Sequence, residues 1–174
     1  MDLIQFDGEG YKVEILKGAP KKEFKENIII VQGGDDTINR LAVSCKFVDI
    51  LLDPHLGDRR DKIYQRNSGL NQVLCELARE NNVGIGFSFI SVLNSRKRWE
   101  LLGRIIQNIM LCRKYKVRMV IGSFAKNIDE QRNEKDLQSF FKVLGMTGKD
   151  VQMNFVNERF DYKRKYIMKG VMLE

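Results

Sequence analysis

Histidine and proline are nearly missing from this 174-residue chain and cysteine is sparse; each scarcity removes a class of function. The single histidine, His55, cannot supply the several imidazoles with which hydrolases on α/β barrels usually hold their metals. It would also have to be the base of any serine triad, and no nucleophile turn accompanies it. Cys45, Cys75 and Cys112 are odd in number and widely spaced, with no Cys-x-x-Cys among them, which removes zinc-ribbon and thioredoxin-like chemistry. Cys75 and Cys112 sit among apolar neighbours and read as small buried hydrophobes in a reducing compartment. No apolar run approaches the roughly 20 residues that span a bilayer, so no membrane partner is expected. Met1–Gly10 lacks the basic and apolar regions of a secretory leader, and a cytoplasmic location is expected. Neither a P-loop nor a Gly-x-Gly-x-x-Gly occurs. With two prolines and no linker, repeat or low-complexity stretch, residues 1–174 are expected to form one domain.

What is present is an alternation of short β-branched runs with helical patterns. Tyr11–Leu16 alternates apolar and polar residues until Lys17-Gly18-Ala19-Pro20 breaks it. Ile28–Val31 and Val48–Leu52 are continuous apolar runs, as in strands buried on both faces, and Val83–Phe89 and Arg118–Ile121 are further strands. Asp36 is placed to cap a short helix over Thr37–Val43. Leu70, Val73, Leu74, Leu77 and Ala78 recur at helical spacing within Leu70–Glu80. A long helix is expected from a cap at Asn94 or Ser95 to about Tyr115, another over Glu134–Leu144, and a turn or two over Asp150–Glu158. Residues 55–67 form an exposed loop, and Ile167-Met168 and Gly170–Leu173 are expected to close the sheet. This order implies an α/β fold with parallel strands and outer helices, either a (β/α) TIM-barrel-like ring or an open doubly wound sheet. About six strands are visible, fewer than the eight of a complete barrel.

The net charge of +7 is unevenly placed. Residues 1–94 hold 12 Lys+Arg against 14 Asp+Glu, whereas residues 95–174 hold 18 against 9. Arg96, Lys97, Arg98, Arg104, Arg113, Lys114, Lys116 and Arg118 follow one another with Glu100 as the one acid between them. At about 100° per residue, Leu101, Leu102, Ile105, Ile106, Ile109 and Cys112 make one stripe, and Arg96, Lys97, Arg104 and Lys114 fall away from it. Unpaired cations cannot follow the stripe inward, so the array is expected to face solvent or a partner. A polyanion such as RNA gains most from that field. The candidate RNA contacts are therefore Arg96, Lys97, Arg98, Arg104, Arg113, Lys114, Arg118 and Lys126, with Lys163 and Arg164 second. A basic scaffold facing an acidic protein is the competing class, and a merely solvated Lys-rich face is the simplest one.

Other motifs carry less. Gly33-Gly34-Asp35-Asp36 matches the start of a nucleotide-cyclase signature, yet it follows a buried strand and precedes a helix, where glycines simply permit a tight turn. Asp49, Asp53 and Asp58 are the nearest set for a carboxylate-only two-metal phosphoesterase, and strand termination accounts for them as well. Arg159–Tyr166 interleaves three aromatics with four cations, a pattern suited to stacking on bases or to packing on the core. The loop Asp58–Arg66 holds four cations diluted by two acids.

Several stretches together resemble the archaeal ribonuclease P protein component 3 family, which is related to the eukaryotic thirty-kilodalton ribonuclease P subunit. They include Val13-Glu14-Ile15-Leu16-Lys17-Gly18, Val31-Gln32-Gly33-Gly34-Asp35, Ile38-Asn39-Arg40-Leu41-Ala42, Val48-Asp49-Ile50-Leu51 and Asn67-Ser68-Gly69-Leu70-Asn71. Ala78-Arg79-Glu80-Asn81-Asn82-Val83, Phe87-Ser88-Phe89, Ile121-Gly122-Ser123, Val143-Leu144-Gly145-Met146 and Met168-Lys169-Gly170-Val171 continue the likeness. It implies a distorted or incomplete barrel related to PHP-type metallohydrolases without their metal-binding histidines, and this chain has no His-x-His. It further implies a non-catalytic RNA-binding subunit that holds no metal or cofactor of its own. Removal of the 5′ leader from precursor tRNA would be done by Mg²⁺ on the partner, ribonuclease P RNA, with protein component 2 and other protein subunits assisting. Members of the family carry an additional strand and helix before the segment matching Tyr11, where ten residues stand here.

Overall fold

A computed structural model describes residues 2–20, 28–151, 156–158, 166–168 and 171–172. Its centre is a parallel sheet of β3 (Ile15–Leu16), β4 (Ile30–Gln32), β5 (Ile50–Leu52), β6 (Gly84–Ser88) and β7 (Met119–Gly122), in that spatial order. Ile30, Val31, Ile50, Leu51, Ile85, Phe87 and Val120 are almost entirely buried, because helices and connections cover both faces of a sheet built from parallel crossovers. Around it stand α1 (Asp36–Ser44), α2 (Gln72–Glu80), α3 (Phe89–Asn94), α4 (Arg98–Tyr115) and α5 (Glu134–Val143). α1 packs on α2 and α2 on α4, while α5 lies against β7.

The ends of the sheet turn toward each other. β1 (Leu3–Ile4) pairs in parallel with β2 (Tyr11–Lys12), and Ile4 also bridges Ala125 just beyond β7. Phe124 N–H donates to Leu3 O at 2.8 Å, Gln5 N–H to Ala125 O at 2.8 Å and Val13 N–H to Ile4 O at 2.8 Å. β2 then leads through Val13 and Glu14 into β3, at the far edge of the five strands. The arrangement is barrel-like but not closed: β1 meets the β7 end of the sheet through one bridge rather than a full ladder. The ten residues before Tyr11 contain that strand, which has too little periodic pattern to read in sequence. The expectation for Ile167-Met168 and Gly170–Leu173 is corrected: β8 (Tyr166–Met168) and β9 (Val171–Met172) pair antiparallel with each other, separately from the central sheet.

Local chemistry sets the helix starts. Asp35, not Asp36, caps α1, accepting from Thr37 N at 2.8 Å and Ile38 N at 3.2 Å. Gly34 has φ +130°, and a Cβ on Gly33 would sit 2.6 Å from Asn39 Oδ1, so the glycine pair serves a close strand-to-helix turn. Asn71 caps α2 and Asn133 caps α5. Between β6 and β7 the long helix expected from Asn94 or Ser95 is present as α4, and a short helix the sequence does not announce, α3, precedes it. Ser88 ends β6 and caps the short α3, and α4 starts three residues beyond Ser95.

Candidate nucleic-acid interface

Helix α4 joins the C-terminal end of β6 to the N-terminal end of β7, so it runs antiparallel to the strands. Its 18 residues span about 27 Å. That geometry divides the basic array between two poles. Arg96, Lys97 and Arg98 lie at the end where the strands finish, and Lys126, just past β7, lies at that same end. Arg113, Lys114, Lys116 and Arg118 lie at the opposite end, where the strands begin. All eight are exposed.

Several of these cations already have local roles. Arg98 donates from Nη2 to Leu93 O at 2.8 Å and from Nε to Val92 O at 3.2 Å, placing its charge on the C-terminal carbonyls of α3. Lys97 Nζ lies 3.6 Å from Glu100. Arg113 Nη2 donates to Gly145 O and to Asp150 Oδ2, the latter at 3.1 Å. Lys114 Nζ stands 5.4 Å from the Tyr115 ring centroid. Arg118 is 3.7 Å from Glu158 Oε2. Lys163 and Arg164 lie outside the described residues, as does most of the Arg159–Tyr166 run.

Arg104 departs from expectation. Its side chain is 7 % exposed, with Nε donating to Asp61 Oδ1 at 2.9 Å and Nη2 to Arg59 O at 2.7 Å. The sequence places Arg104 off the apolar stripe but cannot show what covers that flank: the loop at residues 57–67 folds onto it and supplies the carboxylate. Two further ties hold the loop, Arg66 N–H to Gln107 Oε1 at 3.1 Å and Gln107 Nε2 to Arg66 O at 2.9 Å. Asp61 also accepts from Arg66 Nη1 at 2.8 Å and Asn67 N at 3.0 Å. Burial alone would raise the Asp61 pKa, but these donors and Arg104 together hold it down at about 2. The outer face of α4 between its ends is also not basic, running from Trp99 in the first turn to Ile106 and Met110. All three are exposed.

At the C-terminal end of the strands lies a cavity of about 350 Å³, with Gln5, Lys17, Gln32, Asp53, Ser91 and Lys126 among its lining. Barrel folds place their ligands at this end. Asp53 is 2 % exposed with φ +48°, and it accepts from Ser88 N at 2.9 Å and from the Ser88 hydroxyl. Burial pushes its pKa up to about 7 against the pull of Ser88. His55 Nε2 lies 3.8 Å from Asp53 Oδ1, and burial with the Arg104 and Arg59 charges lowers the imidazole to about 3. The three aspartates of the carboxylate-only reading are not brought together. Asp49 precedes β5 and accepts from Ile29 N at 2.8 Å, while Asp53 follows β5, so the strand separates them by about 13 Å. Asp58 is exposed on the loop. Among the described residues no group of three or more His, Cys, Asp or Glu is placed to hold a metal ion.

Comparison with known proteins fits this architecture. The family described as RNase P subunit p30 matches residues 13–158. Ribonuclease P protein component 3 of Methanosarcina acetivorans is 32% identical, with 94% of this chain and 73% of the relative aligned. Its counterpart in Methanosarcina mazei is 33% identical over 79% of this chain and 60% of the relative. That of Methanocaldococcus jannaschii is 32% identical over 78% and 62%. A chain of the cryo-EM structure of archaeal ribonuclease P with mature tRNA superposes with TM-score 0.71 at 30% identity, covering 84% of this chain and 63% of that one. A crystal structure of an amidohydrolase gives TM-score 0.54 at 11% identity, a likeness of fold alone. The alignments thus span roughly three fifths to three quarters of the relatives' own lengths.

Proposed function

The chain belongs to the RNase P subunit p30 family, and from that premise we propose that it is a non-catalytic, RNA-binding protein subunit of ribonuclease P. The observation that carries the reading is the match across residues 13–158, supported by a 30%-identical chain in an archaeal ribonuclease P structure. In this role the two basic poles of α4 neutralise phosphates of the catalytic RNA and release counterions, favouring a compact RNA fold. Removal of the 5′ leader from precursor tRNA is assigned to Mg²⁺ on the RNA. Protein component 2 and further subunits share the assembly in the cytoplasm. Among the described residues no helix is long and apolar enough to cross a membrane.

Reconstitution tests this directly. Precursor-tRNA cleavage by the partner RNA and remaining protein subunits should rise, or need less Mg²⁺, when this chain is added. An assembly indifferent to the chain at every Mg²⁺ concentration refutes the subunit role. Phosphodiester cleavage by the chain alone refutes the non-catalytic part.

A further inference from the structure

Two aromatic side chains stand almost bare among cations on the α4 side of the molecule. Tyr64 is 97% exposed and Trp99 is 67% exposed. Tyr64 sits in the run Arg60 to Arg66 with Lys62, and Trp99 directly follows Arg96, Lys97 and Arg98. In sequence the first run looks weak because Asp58 and Asp61 dilute it. The fold changes that balance, since Asp61 is consumed internally by Arg66, Arg104 and the Asn67 N–H.

The same contacts bring the two runs together. A Cβ placed on Gly103 would lie 2.9 Å from Arg66 Nε, so the Arg66 side chain rests on the α4 backbone. Gly103 is one helical turn from Trp99 on the same face. The loop tip before Arg66 is closed by Lys62 N–H donating to Gln65 O at 2.9 Å, and it carries Tyr64. Arg66 thus lies beside Gly103, one turn from Trp99, and Tyr64 stands two residues before it at the loop tip, with Lys62 on the same loop and Arg96 and Lys97 just ahead of Trp99.

We propose that Trp99 and Tyr64 form a stacking platform for unpaired RNA nucleotides, with the Arg66 guanidinium on Gly103 as a further stacking plane and the neighbouring lysines and arginines holding the phosphates. The inference rests on the RNA-binding role proposed above and adds to it the form of RNA recognised. Aromatic rings and guanidinium planes accept splayed-out bases, whereas an A-form duplex keeps its base faces stacked inside. The alternative occupant is a helix of a partner protein, because Trp99, Gly103, Ile106 and Met110 follow a 4-3-4 spacing suited to helix packing. Arg66 argues against it: its charged side chain crosses that seam at Gly103, where a close-packed helix would have to bury or expel it.

Trp99 is the one tryptophan of the chain, so tryptophan emission reports this position alone. The full chain is titrated with an end-labelled single-stranded oligoadenylate and with an RNA hairpin duplex, following label anisotropy and tryptophan emission together. Emission should be quenched by the single strand at the same concentrations that raise its anisotropy, and should stay unchanged with the duplex. Trp99→Ala and Tyr64→Ala should each weaken single-strand binding by roughly 5- to 100-fold. Trp99→Phe should recover part of the loss, and duplex binding should be unaffected. Single-strand binding with unchanged emission and unchanged affinity in both alanine variants overturns the platform while leaving the RNA-binding role standing. Emission that responds only when another protein subunit is added likewise overturns it in favour of protein docking. Absence of any RNA binding overturns both readings.

Discussion

Charge reversal at Arg104 looks from the sequence like a test of RNA contact, but the structure makes it a test of folding. Consider Arg104→Ala. The substitution removes a charge-assisted bond to Asp61 at 2.9 Å and a bond to the Arg59 carbonyl at 2.7 Å, both from a guanidinium 7 % exposed. Charged hydrogen bonds are worth about 1.5–3 kcal/mol each, and breaking a buried pair costs about 3–5 kcal/mol. Asp61 keeps Arg66 and the Asn67 N–H and is 22 % exposed, which spares it the full penalty of an orphaned charge. The expected loss is therefore about 2–3 kcal/mol. For a domain of this size that lowers Tm by roughly 4–12 °C. Urea unfolding followed by circular dichroism at neutral pH measures it. A second arm uses acid. Because folded Asp61 titrates near 2, below its usual 3.8, its contribution is present above about pH 4 and lost as pH falls toward 2. At about 1.4 kcal/mol per unit the loss is at most about 2.5 kcal/mol, and it should shrink in Arg104→Ala as the folded pKa moves back up. A variant within 0.5 kcal/mol of the parent at neutral pH, with an unaltered acid limb, would refute the claim that this pair pins the loop to α4.

Lys114→Glu should do what Arg104 cannot: weaken RNA binding and flatten its salt dependence by about one phosphate contact, with stability moving by less than about 0.5 kcal/mol. A filter-binding salt titration with unchanged slope would remove Lys114 from the interface. Asp53→Asn should expose a hidden pH dependence. Folded Asp53 keeps a proton to about pH 7 and so loses stability as pH rises from about 4 to 7, whereas His55, lowered to about 3, gains stability as pH rises from about 3 to 6.5. The two slopes oppose each other in the parent, and in the asparagine variant stability should climb between pH 4 and 6.5. A flat denaturation profile there counts against neutral, buried His55.

The sheet was readable because its strands are apolar on both faces. Ile28–Val31, Val48–Leu52 and the apolar part of Arg118–Ile121 need nothing beyond their own composition to be recognised as buried parallel strands. The boundary after β6 was not readable, since Phe87, Phe89 and Ile90 extend the apolar run across a residue whose role is to cap. Ser88 stops the strand by binding Asp53, which is 35 positions away in the chain. β1 is illegible in the sequence for a similar reason. Two residues, Leu3 and Ile4, carry no period, and their strand conformation is dictated by partners at Tyr11–Lys12 and Ala125.

The basic array shows where helical periodicity stops being informative. A wheel sorts residues by angle to one buried face, but α4 is covered on two sides, by the sheet and by the loop at residues 57–67. The second cover takes in Arg104, Gln107 and Asn108, each of which bonds to the loop or the segment after it. Only a narrow strip of the helix then meets solvent, and along it Trp99 in the first turn is followed by Ile106 and Met110 instead of cations. Charge is left where the chain enters and leaves the helix, about 27 Å apart. An RNA bound at one pole cannot also neutralise the other unless it lies along the helix, over the tryptophan and the Arg66 that crosses Gly103. The strip between the poles, more than the count of cations, therefore decides what kind of RNA surface this helix offers.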